Sequence, residues 1–154
     1  MTRVLFVCLG NICRSPSAEG FFRQALINAG LDDQVTVDSC GVGDWHVGKA
    51  PDARAQKAAL ARGVDISALR ARTLTREDFD AFDYVLGMDR ANMEAIHALA
   101  PASSRARIAL FLDYADGDER EVPDPYYGGE AGFEHVLNLI ESAAKGLIKE
   151  IRRG

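Results

Sequence analysis

The chain has 154 residues, 47% of them hydrophobic, enough for one compact domain over residues 1–154 with a well-filled core. Its 18 Lys+Arg against 23 Asp+Glu leave a net charge of −5, which argues against nonspecific binding to nucleic acid or an anionic membrane, so any anion site has to be local. The opening apolar run lacks a basic leader and a cleavage pattern, no later run nears bilayer-spanning length, and the odd set Cys8, Cys13 and Cys40 supplies no secreted disulfide framework; a cytoplasmic protein with reduced thiols is expected.

In chain order, residues 3–9 are Val, Leu and Phe without polar alternation, the pattern of a strand buried on both faces of a parallel sheet. A helix follows, with Ser15 as the expected N-cap, Pro16 at the first helical position, and Ala18, Phe21, Phe22, Ala25, Leu26 and Ala29 at helical spacing up to Gly30. Residues 35–40 predict a second strand, 52–62 a helix closed by Gly63, 83–88 a third strand, 90–98 a helix capped by Asp89, and 107–112 a fourth strand. The last helix is predicted over about 131–151, with Phe133, Val136, Leu137, Ile140, Ala144, Leu147 and Ile148 inward. Strands and helices in this alternation predict an α/β fold, an open four-stranded parallel sheet with helices on both faces. Two long connections, 41–51 and 113–129, are candidate site walls, because ligands of open α/β sheets bind beyond the carboxyl ends of the strands.

The first connection carries chemistry. CLGNICRSP runs from a strand end into a helix N-terminus, where unpaired backbone N–H groups and the positive end of the helix dipole form an anion cradle. A thiol at its start, Cys8, feels the same field, which favours the nucleophilic thiolate. Gly10 and Asn11 tolerate positive φ in the loop between them, Arg14 offers a planar fork to two phosphate oxygens, and the Ser15 hydroxyl can donate to the sulfur. Together they point to attack of sulfur on phosphorus. The plainer readings are a tight strand-to-helix turn around a buried cysteine, or Cys8 and Cys13 as metal ligands, a pairing whose spacing is unusual for zinc. Transfer to sulfur also needs an acid for the departing oxygen. Asp124 is a candidate, held between Pro123 and Pro125 and followed by Tyr126 and Tyr127, where partial burial would favour its protonated form; the alternative is an ordinary acidic turn.

CLGNICRS together with DPYYG closely resembles the low-molecular-weight protein tyrosine phosphatase family, and length and element order fit across nearly the whole chain. The resemblance implies phosphotyrosine hydrolysis through a phosphocysteine, with no metal and no cofactor. It makes Cys8 the nucleophile, Arg14 the ligand of phosphate and transition state, and Asp124 the general acid. Asn11 would hold the loop shape, Ser15 would stabilise the thiolate, and Gly10, Ile12 and Cys13 would complete the cradle. Trp45 would line the aryl slot with Leu9, Tyr126 and Tyr127. The implied partner is a phosphotyrosine-containing protein, a tyrosine kinase being one candidate, and inorganic phosphate is the product. One position departs from the pattern: family members often place a histidine that bonds the loop asparagine where SALRARTLTREDF has Leu69, and His46, His97 and His135 read as surface or helix-packing residues. Relatives that dephosphorylate arginine tend to have Thr at Ile12, which points to tyrosine here. Arsenate reductases of related fold use further downstream cysteines, and none follows Cys40. Cys40 reads as a small core residue, and Cys13 as either packing or a partner for oxidised Cys8 in a reversible disulfide.

Overall fold

The computed structural model describes residues 1–125 and 129–154. Its centre is a sheet of four parallel strands in the order β2-β1-β3-β4, formed by β1 Thr2–Cys8, β2 Val35–Gly41, β3 Tyr84–Gly87 and β4 Arg107–Leu110. The unbroken apolar run of β1 has the predicted cause. Val4, Phe6 and Cys8 enter one core cluster and Leu5 and Val7 the other, so both faces of the strand are covered. On the first face lie α1 Arg14–Asn28 and α5 Gly129–Arg153, with α2 Ala53–Ala61 packed on α5. Phe6 meets Phe22 of α1 and Phe111 edge-on at ring separations of 5.7 and 4.7 Å. On the second face lie α3 Asp78–Ala81, which supplies Phe79, and α4 Arg90–Leu99, which supplies Ile96.

Three details differ from the sequence reading. Helix α1 begins at Arg14 with Cys13 as its N-cap residue, so Ser15 lies inside the first turn and does not cap it. The fourth strand ends at Leu110, and Phe111–Tyr114 form a 3-10 helix. Phe111 and Leu112 are fully buried and so read as strand, but the chain bends there to lie against α5, where a Cβ on Gly146 would overlap the Tyr114 carbonyl oxygen. Helix α3, four residues long, is too short to leave a periodicity.

The chain leaves β1 toward β2 on one side and later returns to β3 on the other. This reversal opens a crevice beyond the carboxyl end of β1, where residues 9–13 run into α1.

Candidate active site

Backbone packing shapes the loop after β1. Beside it, the exit of β2 donates from Val42 N to Cys8 O and from Gly43 N to Leu9 O, both at 2.9 Å, and Asp52 N, just before α2, donates to Ile12 O at 2.8 Å. The approach requires a glycine at 41, since a Cβ there would meet Leu9 O at 2.9 Å and the Asn11 amide nitrogen at 3.0 Å. Of the two residues expected to tolerate positive φ, Asn11 adopts it (φ 57°), whereas Gly10 is not among the left-handed glycines and instead makes room for His46, whose Cδ2 would lie 2.9 Å from a Cβ at position 10.

The loop and its neighbours enclose an open cleft of ≈ 410 Å³ lined by Cys8, Leu9, Gly10, Ile12, Cys13, Arg14, Trp45, His46 and Asp124. Cys8 is at the floor and buried, with Sγ 3.0 Å from Ser15 Oγ. Ser15 accepts from Asn11 Nδ2 at 2.8 Å and reaches the Cys40 carbonyl at 3.2 Å, so its one hydroxyl proton is shared between that carbonyl and the sulfur. Arg14, also buried, donates from Nη1 to Asp89 Oδ2 at 2.7 Å and to Val122 O at 3.0 Å, while Nη2 lies 4.0 Å from Asp124 Oδ2. Burial works against the Arg14 charge, but the nearby Cys8 and Asp89 outweigh it and hold its proton more tightly than usual. Burial pushes the Cys13 thiol up to about 12, with the charges of Asp52 and Cys8 adding to the effect. The Cys40 thiol, in the second core cluster, is pushed up by burial too, as suits a packing residue.

Leu9 and Trp45 form the rim, 45% and 64% exposed, and the Asp124 side chain is 47% exposed. Tyr126 and Tyr127 lie outside the described residues.

Low molecular weight phosphotyrosine protein phosphatase is the family whose profile matches residues 3–154. The chain belongs to this family. A putative low molecular weight protein-tyrosine-phosphatase of Synechocystis is 45% identical over 97% of this chain and 96% of its own. The low molecular weight phosphotyrosine protein phosphatase of Schizosaccharomyces pombe is 44% identical over the same shares. Among solved structures, a protein tyrosine phosphatase from Entamoeba histolytica superposes with a TM-score of 0.96 at 36% identity, covering 100% of this chain and 99% of that one. These relatives are phosphatases by name, and the Entamoeba structure shares the fold over nearly its whole length.

Several residues around this phosphatase loop escaped the sequence reading. Asp89 reads as a helix cap, which it is, but its second oxygen holds Arg14. His46 reads as a surface histidine and instead lines the cleft; its place beside Trp45 in the 41–51 connection was the available signal. Leu69 packs partly buried against the main core. Asn11 has other partners: Nδ2 donates to Ser39 Oγ at 3.0 Å and Oδ1 accepts from Arg72 N at 3.1 Å. Arg72 is fixed in turn by Asp38 and by a two-pronged bond to Asp78.

Proposed function

We propose that residues 1–154 act as one phosphatase domain that hydrolyses phosphotyrosine in proteins, and small aryl phosphates, through a phosphocysteine. The observation that carries the reading is the pairing of Cys8 Sγ, 3.0 Å from a hydroxyl, with a buried arginine at the floor of a single cleft rimmed by Leu9 and Trp45.

In the first step the Cys8 thiolate attacks phosphorus in line with the tyrosyl oxygen. Backbone N–H groups of the loop and the Arg14 guanidinium hold the equatorial oxygens as charge spreads over them. Asp124, whose Oδ2 lies 4.0 Å from Arg14 Nη2, gives its proton to the departing phenolic oxygen. In the second step the same carboxylate takes a proton from water, which attacks the phosphocysteine and releases inorganic phosphate and the thiolate, with Ser15 donating to the sulfur as it leaves. Asn11 keeps the loop curled, and Gly10, Ile12 and Cys13 complete its wall. Leu9 and Trp45, with Tyr126 and Tyr127, select a flat ring. The substrate is a phosphotyrosine-containing protein, a tyrosine kinase being a candidate, met in the cytoplasm; among the described residues no helix is long and apolar enough to cross a membrane.

The test is Cys8→Ser, whose hydroxyl fits the cradle but does not ionise near neutral pH. Turnover of phosphotyrosine peptides is expected to vanish while inorganic phosphate still binds; measurable steady-state turnover would remove Cys8 from the role. In wild type, phosphotyrosine peptides should exceed phosphoserine and phosphoarginine peptides in kcat/KM by about a hundredfold or more. Comparable rates on phosphoarginine would move the assignment to arginine.

A further inference from the structure

One buried charge has no part in the reaction just described. Glu19, on α1, is 4% exposed, and each of its carboxylate oxygens meets a donor: Oε1 the Ser39 hydroxyl at 2.7 Å, Oε2 the Arg23 guanidinium at 2.8 Å. Arg23 also donates to the Val37 carbonyl at 3.0 Å, which fastens it across β2. Burial pushes the Glu19 carboxyl up from its ordinary value and the charge of Asp38 adds to that, while the bonds from Ser39 and Arg23 act the other way. Both oxygens face donors, so a carboxylate is matched there, and a neutral acid could place its proton only on the Ser39 oxygen, which would cost Ser39 the acceptor of its own proton.

The hydrogen bonds beyond Glu19 run to the sulfur. Because Ser39 gives its proton to Glu19, its oxygen is free to accept from Asn11 Nδ2. Asn11 cannot flip, since Oδ1 accepts from Arg72 N, so its second amide hydrogen goes to Ser15 Oγ. The Ser15 proton is then left for Cys40 O or Cys8 Sγ. Were Glu19 to become a donor to Ser39, the Ser39 oxygen would accept on both sides while its own proton lost its partner, and the polarisation that the carboxylate passes through Ser39 and Asn11 to Ser15 would be lost.

We propose that Glu19, kept ionised by Arg23, is a positioning residue that acts through Ser39, Asn11 and Ser15 to hold a hydroxyl proton on Cys8 Sγ, and that this carboxylate–arginine pair supports Asn11 where Leu69 leaves no histidine to do so. The proposal deepens the phosphatase reading, but its readout is the chemistry of the thiol and needs no turnover.

The experiment follows alkylation of Cys8 by iodoacetamide, a neutral reagent, against pH, with modification located by peptide mass spectrometry. Glu19→Gln separates two mechanisms by sign. Acting through space, loss of a negative charge would favour the thiolate and move the midpoint of reaction to lower pH. Acting through the hydrogen bonds, the same change withdraws the Ser15 proton and moves the midpoint up by about one pH unit, roughly a tenfold loss of rate below it. An unchanged or lowered midpoint overturns the proposal. Should Glu19→Gln fail to fold, Arg23→Met decides, because Arg23 is half-exposed. It should slow alkylation toward the acid end of the profile, where Glu19 without its cation takes up a proton, and leave the rate at the alkaline end within about twofold of wild type. A profile that superposes on wild type, or one displaced equally at all pH values as a lost through-space charge would be, overturns it.

Discussion

Asp89 holds Arg14 with one oxygen and the start of α4 with the other: Oδ2 accepts from the guanidinium at 2.7 Å and Oδ1 from Asn92 N at 2.8 Å. A single carboxylate thus locks the first residue of α1 to the N-cap of α4, and the Arg14 guanidinium is held in a fixed orientation. Asp89→Asn separates the two duties, because asparagine caps a helix about as well as aspartate but brings no charge to a buried arginine. Stability of the free protein should fall by about 1–3 kcal/mol, read by urea denaturation, and saturating phosphate should restore part of it by supplying the missing anion. Aryl phosphatase kcat/KM should drop by about tenfold or more. A variant with wild-type stability and rate would leave Asp89 as a cap alone.

The contrast between Asp89 and Arg14 shows what is legible in a sequence. Cys8, Arg14 and Ser15 are adjacent along the chain, and the strand–loop–helix grammar around them gives their meeting point directly. The cleft brings the expected Leu9, Gly10, Ile12, Cys13, Trp45 and Asp124 to that point. Asp89 and Glu19 each satisfy a local pattern, a capping box and an i,i+4 pair with Arg23, and those patterns account for only one of their two contacts. Their other partners lie 75 positions away in Arg14 and 20 away in Ser39. Such contacts follow from strand order, which periodicity alone does not supply. Ser15 shows the reverse error: Ser before Pro signals a cap, yet the backbone turns helical two residues earlier and the hydroxyl is turned to sulfur instead.

If Asp124 is the general acid, as proposed, its proton matters most when the departing oxygen is a poor leaving group. Asp124→Asn should therefore slow phenyl phosphate by at least about tenfold more than p-nitrophenyl phosphate in single-turnover measurements. Equal slowing of both substrates would exclude Asp124 as the acid.

Trp45 lies on Gly43: a Cβ at position 43 would come within 1.7 Å of indole Cζ3 and 2.2 Å of Cε3. The missing side chain is the seat of the ring at the cleft edge, so Gly43→Ala must displace it. Loss of about threefold or more in kcat/KM for aryl phosphates is expected, with inhibition by inorganic phosphate unchanged. In a Trp45→Ala background the same glycine change should have no effect on kcat/KM. Equal losses in both backgrounds would trace the effect to the Gly43 backbone, which donates to Leu9, and not to the ring.

Cys13 bears on what happens when the nucleophile is oxidised. On the reading that Cys13 rescues oxidised Cys8, peroxide converts the Cys8 thiolate to a sulfenic acid and the Cys13 sulfur displaces its hydroxyl as water to form a disulfide, which a dithiol reopens. The attacking form is the thiolate, and with the Cys13 thiol pushed up to about 12, only about one molecule in 10⁵ carries it at neutral pH. Closure should therefore be slow near pH 7 and accelerate by nearly tenfold per pH unit up to about pH 9. Oxidation itself relieves the constraint in part, since the Cys8 charge that helps to keep Cys13 protonated disappears in the sulfenic acid. Wild type treated with excess peroxide and then dithiothreitol should recover more activity the higher the pH of the peroxide step. Cys13→Ser, after excess peroxide, should recover little at any pH because its sulfenic acid proceeds to the sulfinic acid. Equal recovery in the two proteins would leave Cys13 as packing beneath the loop, and closure independent of pH would mean that the loop opens and exposes Cys13 to water before it reacts.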